Sequence, residues 1–215
     1  MISFTFDDGW KNQYTRALPI LEENEQKGTF YIITKMPASM FAEGEGRMTK
    51  EEVLATAKLG HEIGAHSRTH PHLQISMPWK VRDEVRGSKV DLESWGLNVE
   101  TFCYPYGRRN WYVDSVVKNA GYLGARLADG EYATAETNKF ALEARCLVDD
   151  TTLEEVIGWI KEANGRWLIL VFHQIESNPP RWGITPELFK QISDYVKNEQ
   201  LKVVTVAEGI KKLYA

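Results

Sequence analysis

Apolar runs of strand-like length alternate along the chain with segments of helical periodicity, and this alternation constrains the fold more than any other feature. A strand followed by a helix and another strand favours parallel pairing, because the helix crosses back over the sheet. The predicted strands are Ile2–Phe6, Thr29–Ile33, Glu62–Ala65, Glu100–Tyr104, Tyr122–Arg126, Ala141–Val148, Trp167–Phe172 and Leu201–Val204. Seven or eight parallel strands in 215 residues favour a single-domain, distorted (β/α) barrel over an open sheet.

The segments between the strands carry helix start signals. Capping boxes at Thr49–Glu52 and Thr151–Glu154 begin two helices, and Thr185 with Pro186 begins a third. The predicted helices are Asn12–Asn24, 49–60, 79–95, 110–120, 151–163, one from Thr185 and a short C-terminal helix. Residues 128–140 lack periodicity and are predicted to form a loop. No linker or repeat divides the chain, so we expect one domain over residues 1–215.

Composition excludes several classes of protein. The net charge of −4 and the absence of a basic block argue against nucleic-acid binding. No stretch approaches the roughly 20 apolar residues of a membrane span. Two cysteines cannot staple a fold of this size, and we expect Cys103 and Cys146 to be unpaired, although the sequence leaves a disulfide open. A monomer is the default expectation.

Titratable side chains follow four of the predicted strands at their carboxyl ends. Asp7 and Asp8 follow the first strand, His66 and His70 follow the third, and His173 follows the buried run 167–172. The segment 104–107 follows the fourth strand. In β/α barrels this face carries the active site, because the loops after the strands converge there.

The spacing of His66 and His70 allows both imidazoles to face one metal ion. Together with one carboxylate of Asp7-Asp8, they would leave open positions on Zn²⁺ or Fe²⁺, and the other carboxylate could act as a general base. Alternatively, the two histidines could lie at the surface and the aspartates could form a turn. His173 could be either a general acid or a hydrogen-bonded core histidine. His61 lies at the start of its strand and His72 in a loop, so neither is expected to be a ligand. The list of candidate ligands and acid–base groups is therefore Asp7, Asp8, His66, His70 and His173.

Four segments resemble motifs of the polysaccharide deacetylases, the NodB-homology family or carbohydrate esterase family 4. They are Thr5–Gly9 (TFDDG), His66–His70 (HSRTH), Phe102–Gly107 (FCYPYG) and Leu168–His173 (an apolar strand ending in His). They occur in the order typical of the family and span residues 5 to 173. The resemblance implies a distorted β/α barrel that uses a divalent metal to hydrolyse acetyl groups on sugars.

The resemblance also implies roles for individual residues. Asp7 would be the general base, Asp8, His66 and His70 would hold the metal, and His173 would be the general acid. The backbone N–H of Tyr106 would stabilise the oxyanion. The expected cofactor is Zn²⁺, with Co²⁺, Ni²⁺ or Mn²⁺ as substitutes, and the expected partner is an acetylated carbohydrate.

The chain departs from the family pattern at two motifs. The third motif usually carries an Arg near the base, where this chain has Cys103, and loss of that cation would raise the pKa of the base. Arg126 is our hypothetical replacement, because it is the only cation ending a predicted strand beside that motif. The fourth motif, an Asp-containing stretch, is not visible. Asp129 is the hypothetical residue that orients His173, whereas Asp149 and Asp150 are assigned to a helix start.

Several tryptophans have two interpretations. Trp10, Trp111 and Trp182 lie in loops after predicted strand ends, where exposed indoles could stack on sugar rings or pack against loops. Tyr106 is a further candidate for substrate contact, whereas Trp159 and Trp167 are assigned to the core.

These observations leave several functions open. The substrate could carry O-acetyl groups, as in acetylxylan, or N-acetyl groups, as in chitin or peptidoglycan. The alternatives are a small-molecule amidase on the same fold, an inactive carbohydrate-binding domain, and a non-haem iron oxygenase, which would not explain the second Asp or His173. Because Met1 leads directly into a strand and polymeric substrates imply export, we expect the catalytic domain of a longer secreted chain, at the cell envelope or outside the cell. A cytoplasmic location is the alternative.

Overall fold

The computed structural model describes residues 1–35 and 46–215. Its main sheet contains β1 Ile2–Phe6, β2 Thr29–Ile32, β3 Glu62–Ala65, β4 Thr101–Cys103, β5 Gly124–Arg126, β6 Arg145–Cys146 and β7 Leu168–Phe172. The strands are parallel and lie in the order β5-β4-β3-β2-β1-β7-β6. This curled sheet with its surrounding helices is a distorted β/α barrel, so the predicted fold class is confirmed.

The helices of the described residues occupy the positions that the strand connections require. They are α1 Leu18–Glu23, α2 Lys50–Lys58, α3 Pro78–Glu93, α4 Trp111–Asn119, α5 Leu153–Ala163, α6 Pro186–Asn198 and α7 Val206–Leu213. A π-helical turn at Gln13–Ala17 precedes α1, so the predicted helix 12–24 is irregular in its first half. The capping box at Thr49 is confirmed. The second box lies one residue later than predicted, at Thr152 and Glu155, because Thr152 is the residue with extended backbone.

Aromatic packing fixes the centre of the sheet. The Phe6 ring stacks on Phe30 of β2 at 4.6 Å and on Phe172 of β7 at 5.4 Å, and Phe189 of α6 packs edge-on against it at 5.6 Å. Each buried phenylalanine contributes about 1.5 to 3 kcal/mol through removal of its surface from water. This packing holds β1, β2 and β7 in register. β1 leads to the two aspartates, β7 leads to His173, and β2 lies beside β3, which leads to the paired histidines.

Several predicted strands are shorter in the structure, and two of them differ most. Within Ala141–Val148, Leu142 bridges to Arg126 of β5, whereas only Arg145–Cys146 pairs with β7. The chain therefore crosses the gap between the two edges of the curled sheet and cannot remain one continuous strand. Leu201–Val204 contributes a single bridge, from Val203 to Ile2.

A small second sheet was not predicted. β8, Gln174–Ile175, pairs in parallel with β9, Gly183–Ile184, and holds the loop between them beside His173. Both cysteines are free thiols, as expected. No helix in the described ranges combines the length and apolarity needed to cross a bilayer.

Candidate active site

The carboxyl ends of β1, β3, β4, β5 and β7 bring most of the predicted site residues together. Asp7 and Asp8 lie past β1, His66 and His70 past β3, and His173 past β7. Ion pairs connect the loops after β1, β3 and β5. The structure thus gathers all five predicted ligands and acid–base groups at one end of the barrel.

Three of these side chains converge on one point. Asp8 Oδ1 lies 3.4 Å from His66 Nε2 and 3.5 Å from His70 Nε2, and the two imidazole nitrogens are 3.1 Å apart. Nitrogen and oxygen ligands about 2.0–2.1 Å from a tetrahedral metal lie roughly 3.3 Å from one another. Asp8 Oδ1 is also buried and without a hydrogen bond of good geometry. The three side chains therefore fit a divalent metal ion.

Backbone and side-chain contacts prepare both histidines for this role. His66 Nδ1 donates to the Cys103 carbonyl at 2.8 Å, which fixes the ring so that Nε2 faces Asp8. Burial, followed by the nearby charge of His66, lowers the pKa of His70 to about 4, so its ring is neutral at pH 7. Burial disfavours the ionised form of Asp8. The close contact with His66 and the nearby imidazoles of His173 and His70 act in the opposite direction and hold the pKa of Asp8 far below its usual range.

Left-handed backbone is concentrated at this site. Of seven non-glycine residues with positive φ in the described chain, four lie here: Asp8 (73°), Ser67 (63°), His70 (56°) and Tyr106 (59°). Such conformations cost of order 1 kcal/mol or more each and persist where the surroundings impose them. The strain re-aims Asp8 and His70 after their strands have ended.

Asp7 occupies the floor of the site and is paired with Arg126. Arg126 Nη2 donates to Asp7 Oδ1, and both side chains are buried. Cys103 Sγ lies 3.5 Å from Asp7 Oδ2. Burial alone would lower the pKa of Arg126, but the Asp7 carboxylate outweighs it and raises that pKa. Arg126 thus takes the position beside Asp7 that we assigned to it by hypothesis.

His173 stands on the opposite side of the site from the paired histidines. Its Nδ1 lies 3.8 Å from Cys146 Sγ, and its ring centroid lies 6.2 Å from that of Trp182, which is half exposed. Burial raises the pKa of the Cys146 thiol to about 12, so the neighbour of Nδ1 is a neutral thiol.

The sequence reasoning missed Gln13. Its buried amide nitrogen donates to the Asp7 carbonyl at 2.5 Å and to the His173 carbonyl at 2.8 Å. Gln13 is the first residue of the π-helical turn, and π-helical turns are frequent at functional sites. The hydrophobic pattern of 12–24 gave no signal for this turn, because it is typical of an ordinary helix.

The structure does not support the roles predicted for two site residues, Trp10 as a sugar-stacking indole and Asp129 as the partner of His173. Trp10 is not an exposed indole: it is 4% exposed, donates its Nε1–H to Asp8 Oδ2 at 3.2 Å and lies under the Arg47 guanidinium. Asp129 is exposed in the loop after β5, and the described part of the chain shows no hydrogen bond or ion pair between it and His173. Cys146 occupies the position predicted for Asp129, because β6 rather than that loop lies beside β7.

The remaining predicted aromatic residues are accessible. Trp111 is exposed at the start of α4. Tyr106 is half exposed; its ring packs edge-on against His70 at 4.5 Å and stacks on His72 at 4.0 Å. Neither His61 nor His72 belongs to the metal-type cluster, by which we mean Asp8, His66 and His70.

Comparisons with known proteins identify the family of this chain. The family model for polysaccharide deacetylase matches residues 1–125. A peptidoglycan-N-acetylglucosamine deacetylase from Bacillus cereus is 31% identical over 123 residues, which are 57% of this chain and 54% of that protein. The chain spans about half the length of the first curated relatives that it matches.

Solved structures share the fold over nearly the whole chain. A family 4 acetyl xylan esterase from Clostridium thermocellum, solved with a cobalt ion, has a TM-score of 0.68 at 23% identity and covers 98% of this chain and 90% of its own. A family 4 pseudoenzyme from Bacillus anthracis has a TM-score of 0.67 at 18% identity, covering 98% of this chain and 65% of its own. At these identities the likeness concerns the fold alone.

Proposed function

Because this chain belongs to the polysaccharide deacetylase family, we propose that it is a metal-dependent hydrolase that removes acetyl groups from a carbohydrate. One observation carries the proposal: a metal-type cluster of Asp8, His66 and His70 shares one barrel end with an Arg-paired Asp7 and with His173. These groups match the requirements of acyl transfer to water, which needs an electrophile, a base and an acid.

Asp8, His66 and His70 would hold the cation, and Zn²⁺ is the ion that best suits two imidazoles and one carboxylate. Co²⁺, Ni²⁺ or Mn²⁺ would be substitutes. When bound, the cation supplies Lewis-acid polarisation of the acetyl carbonyl. The three close interatomic distances and the buried Asp8 Oδ1 support this assignment.

Asp7 would accept a proton from the attacking water as the new C–O bond forms. His173 would then donate a proton to the leaving nitrogen or oxygen while its bond to the acetyl carbon breaks, releasing acetate. The backbone N–H of Tyr106 would stabilise the oxyanion between these two steps. Asp7 and His173 are joined through Gln13, which donates to both of their carbonyls and so holds base and acid in one relative position.

Arg126 would keep Asp7 ionised and correctly oriented, in place of the family's usual arginine. The support is the direct ion pair between two buried side chains. Cys146 would set the orientation of the His173 ring, since its sulfur is the neighbour of Nδ1. Trp182 would form one wall of the sugar subsite beside His173.

The curated relatives that carry a peptidoglycan deacetylase name support an N-acetylated cell-wall substrate, and with it a location at the cell envelope or outside the cell. The acetyl xylan esterase neighbour keeps O-acetyl substrates in the proposal. We assign residues 1–215 to one catalytic domain.

Acetate release tests the proposal. Protein stripped of metal and reloaded with Zn²⁺ is incubated with acetylxylan, N-acetyl-chitooligosaccharides and peptidoglycan, with Asp7→Asn as the blank. Release that is absent in the blank and in the metal-free protein supports it and identifies the leaving atom. Bound Zn²⁺ without release from any of the three would overturn the deacetylase assignment in favour of a small amide substrate or an inactive domain, as in the pseudoenzyme neighbour. Failure to bind metal would overturn the ligand assignment as well.

A further inference from the structure

Glu84 of α3 is a buried charged side chain that the proposed chemistry does not use. Its side chain is 0% exposed. A buried carboxylate persists only where hydrogen bonds and an opposite charge compensate it. Lys80, one turn earlier on α3, pairs with it at 2.7 Å. Its hydrogen bonds from outside α3 come, in the described chain, from the loop that joins His66 to His70. The carboxylate therefore faces the segment that carries two of the proposed metal ligands.

The Glu84 carboxylate holds the backbone of that loop directly. Its Oε2 accepts from the backbone N–H groups of Arg68 and Thr69, each at 2.7 Å, and its Oε1 accepts from the Thr69 hydroxyl at 2.5 Å. Successive N–H groups point at one anion only where the backbone turns. Left-handed backbone at Ser67 (φ 63°) and His70 (φ 56°) flanks these two groups. Glu84 thus binds the turn between two strained residues, and such strain persists only where the surroundings impose it.

The Arg68 side chain attaches the same loop to α3 at a second point. Its guanidinium pairs with Asp91 through two hydrogen bonds of 2.8 Å and with Asp83 through one of 2.6 Å. These aspartates lie one turn after and one turn before Gly87, on the same face of α3. A Cβ at Gly87 would lie 2.3 Å from Arg68 Nε, so the guanidinium rests on a helix surface that is free of a side chain there.

The two histidines depend on this attachment to different degrees. His66 is held by the sheet, because its N–H donates to the Ile32 carbonyl at 3.0 Å and its Nδ1 to the Cys103 carbonyl at 2.8 Å. His70 has left the sheet, and its N–H donates to the Ser67 hydroxyl oxygen at 3.0 Å, within the loop itself. The position of His70 relative to His66 therefore depends on what holds the loop between them.

Resting on the metal site of the proposed function, we infer that Glu84 is a positioning residue for the two histidines: through the N–H groups of Arg68 and Thr69 it sets the separation of the imidazoles and with it the affinity for the divalent cation. The Nε2 atoms are 3.1 Å apart in this arrangement. Outer partners that orient metal ligands change metal affinity about 10- to 100-fold when they are removed. Glu84 exerts this effect on the backbone between the ligands rather than on either ring.

Glu62 provides a matched control, because it is a carboxylate with the same kinds of partner at the other end of β3. It accepts from the Ala207 N–H at 2.9 Å, from the Thr29 hydroxyl at 2.9 Å and from the Thr101 hydroxyl. Its replacement removes a comparable network of hydrogen bonds without touching the loop after β3. Loss of stability alone is therefore separated from loss of ligand position.

Zinc affinity tests the inference. We measure the Kd for Zn²⁺ by competition with a chromophoric chelator for wild type, for Glu84→Ala, Glu84→Asp and Glu84→Gln, and for the same substitutions of Glu62. Urea unfolding of the metal-free proteins gives their stabilities. We expect Glu84→Ala to bind Zn²⁺ at least about tenfold more weakly, and the Glu62 variants to stay within about twofold of wild type.

The two conservative variants separate position from charge and decide the question if Glu84→Ala does not fold. Glu84→Gln keeps an oxygen that can accept from both N–H groups, so it should recover most of the affinity. Glu84→Asp keeps the charge but withdraws the carboxylate by one methylene, so it should bind Zn²⁺ more weakly than Glu84→Gln. The visible absorption of Co²⁺-loaded protein, which reports ligand geometry, should change in Glu84→Asp and not in Glu62→Asp.

Unchanged Zn²⁺ affinity and an unchanged Co²⁺ spectrum in folded Glu84→Ala or Glu84→Asp protein would overturn the inference. Equal losses of affinity in Glu62 variants of similar stability would overturn it too, as would recovery by Asp but not by Gln. None of these measurements needs turnover, so weaker binding in the Glu84 variants supports the inference even where no substrate releases acetate and the hydrolase proposal alone fails. A wild type that binds no Zn²⁺ would overturn both.

Discussion

At the scale of single residues, three side chains from three different elements hold Asp7 in place. Arg126 at the end of β5 pairs with its carboxylate, Cys103 of β4 lies against the other oxygen, and Gln13 binds its carbonyl. The carboxylate is buried, and a buried charge is tolerated only when it is paired and hydrogen-bonded. The site therefore depends on residues remote in sequence from its motifs.

Removing the cation tests the role of Arg126. Arg126→Ala leaves a buried carboxylate without its partner, so we expect a stability loss of about 3 to 5 kcal/mol. As the proposed base, Asp7 would have to be ionised to accept a proton, and a neighbouring cation favours the ionised form of a carboxyl group. The acid limb of the kcat/KM profile should therefore move to higher pH by about one unit or more.

Arg126→Lys is the matched variant for this measurement, because it keeps the charge while losing the planar guanidinium. It should recover most of the wild-type pH profile. An unchanged pH profile in Arg126→Ala protein that is folded by circular dichroism would contradict the assigned role.

Replacing Gln13 tests the connection between Asp7 and His173, the proposed base and acid. Gln13→Met keeps the side-chain length but removes both donors, so the Asp7 and His173 carbonyls lose their common partner. Small misplacements of reacting groups can cost about a hundredfold in rate. We expect kcat to fall at least about tenfold, with KM changed less than about twofold.

Gln26 offers a control for this experiment. It is also a buried glutamine with two side-chain hydrogen bonds, both to Ser193 of α6, far along the chain from the site. We expect Gln26→Met and Gln13→Met to lower stability by similar amounts, about 1 to 3 kcal/mol each. Gln26→Met should leave kcat unchanged. Equal kinetic effects in the two variants would mean that Gln13 acts through stability alone.

The site could be predicted from sequence only where a residue stands at a strand end. Asp7, Asp8, His66, His70 and His173 meet that condition, and the structure brings them together. Gln13 lies on a segment with ordinary helical periodicity, and only the π-helical turn gives it its position. Asp129 and Trp10 were misassigned because the sequence does not show which loop lies beside β7 or how an indole packs under Arg47.

At the scale of elements, local chemistry determined what could be predicted. The helix starts were visible because a threonine cap acts within four residues, as at Thr49 and Thr185. The split of 141–148 between two sheet edges depends on how far the barrel closes, which is a long-range property. For the same reason 201–204 is a single bridge rather than a strand.

His61 links three elements at the opposite end of the barrel from the site. Its Nδ1 accepts from the Gly28 N–H at 3.0 Å, before β2, and its Nε2–H donates to Glu22 of α1 at 3.0 Å. Protonation of Nδ1 would break the first of these bonds. Burial accordingly lowers the pKa of His61 to about 4, although Glu22 acts in the opposite direction.

This linkage predicts a dependence of stability on pH. The unfolded chain binds a proton at His61 below about pH 6.5, whereas the folded protein binds it only near pH 4, so stability is lost as the pH falls through that window. Between pH 7 and pH 5 the loss from this residue should be about 1 to 2 kcal/mol. Urea unfolding of metal-free wild type and His61→Gln at both pH values measures it. Parallel losses in the two proteins would contradict the prediction.

At the scale of the whole molecule, the metal-type cluster joins parts of the chain that are distant in sequence. Asp8 follows β1 at the centre of the sheet, whereas His66 and His70 follow β3 across the intervening β2. The three atoms lie close together only when these strands are in register. A cation bound there would consequently stabilise the folded state over the unfolded one.

Metal should therefore raise the melting temperature of the whole domain. At a free Zn²⁺ concentration about a hundred times Kd, the gain is about 3 kcal/mol, which for a chain of this size corresponds to roughly 6 to 12 °C. Differential scanning calorimetry with Zn²⁺ and with a chelator measures this shift. His70→Ala should abolish it, and His72→Ala should retain it, because only His70 belongs to the cluster with Asp8 and His66. A shift that persists in His70→Ala would mean that Zn²⁺ binds elsewhere, since the remaining Asp8 and His66 provide too few ligands for tight binding.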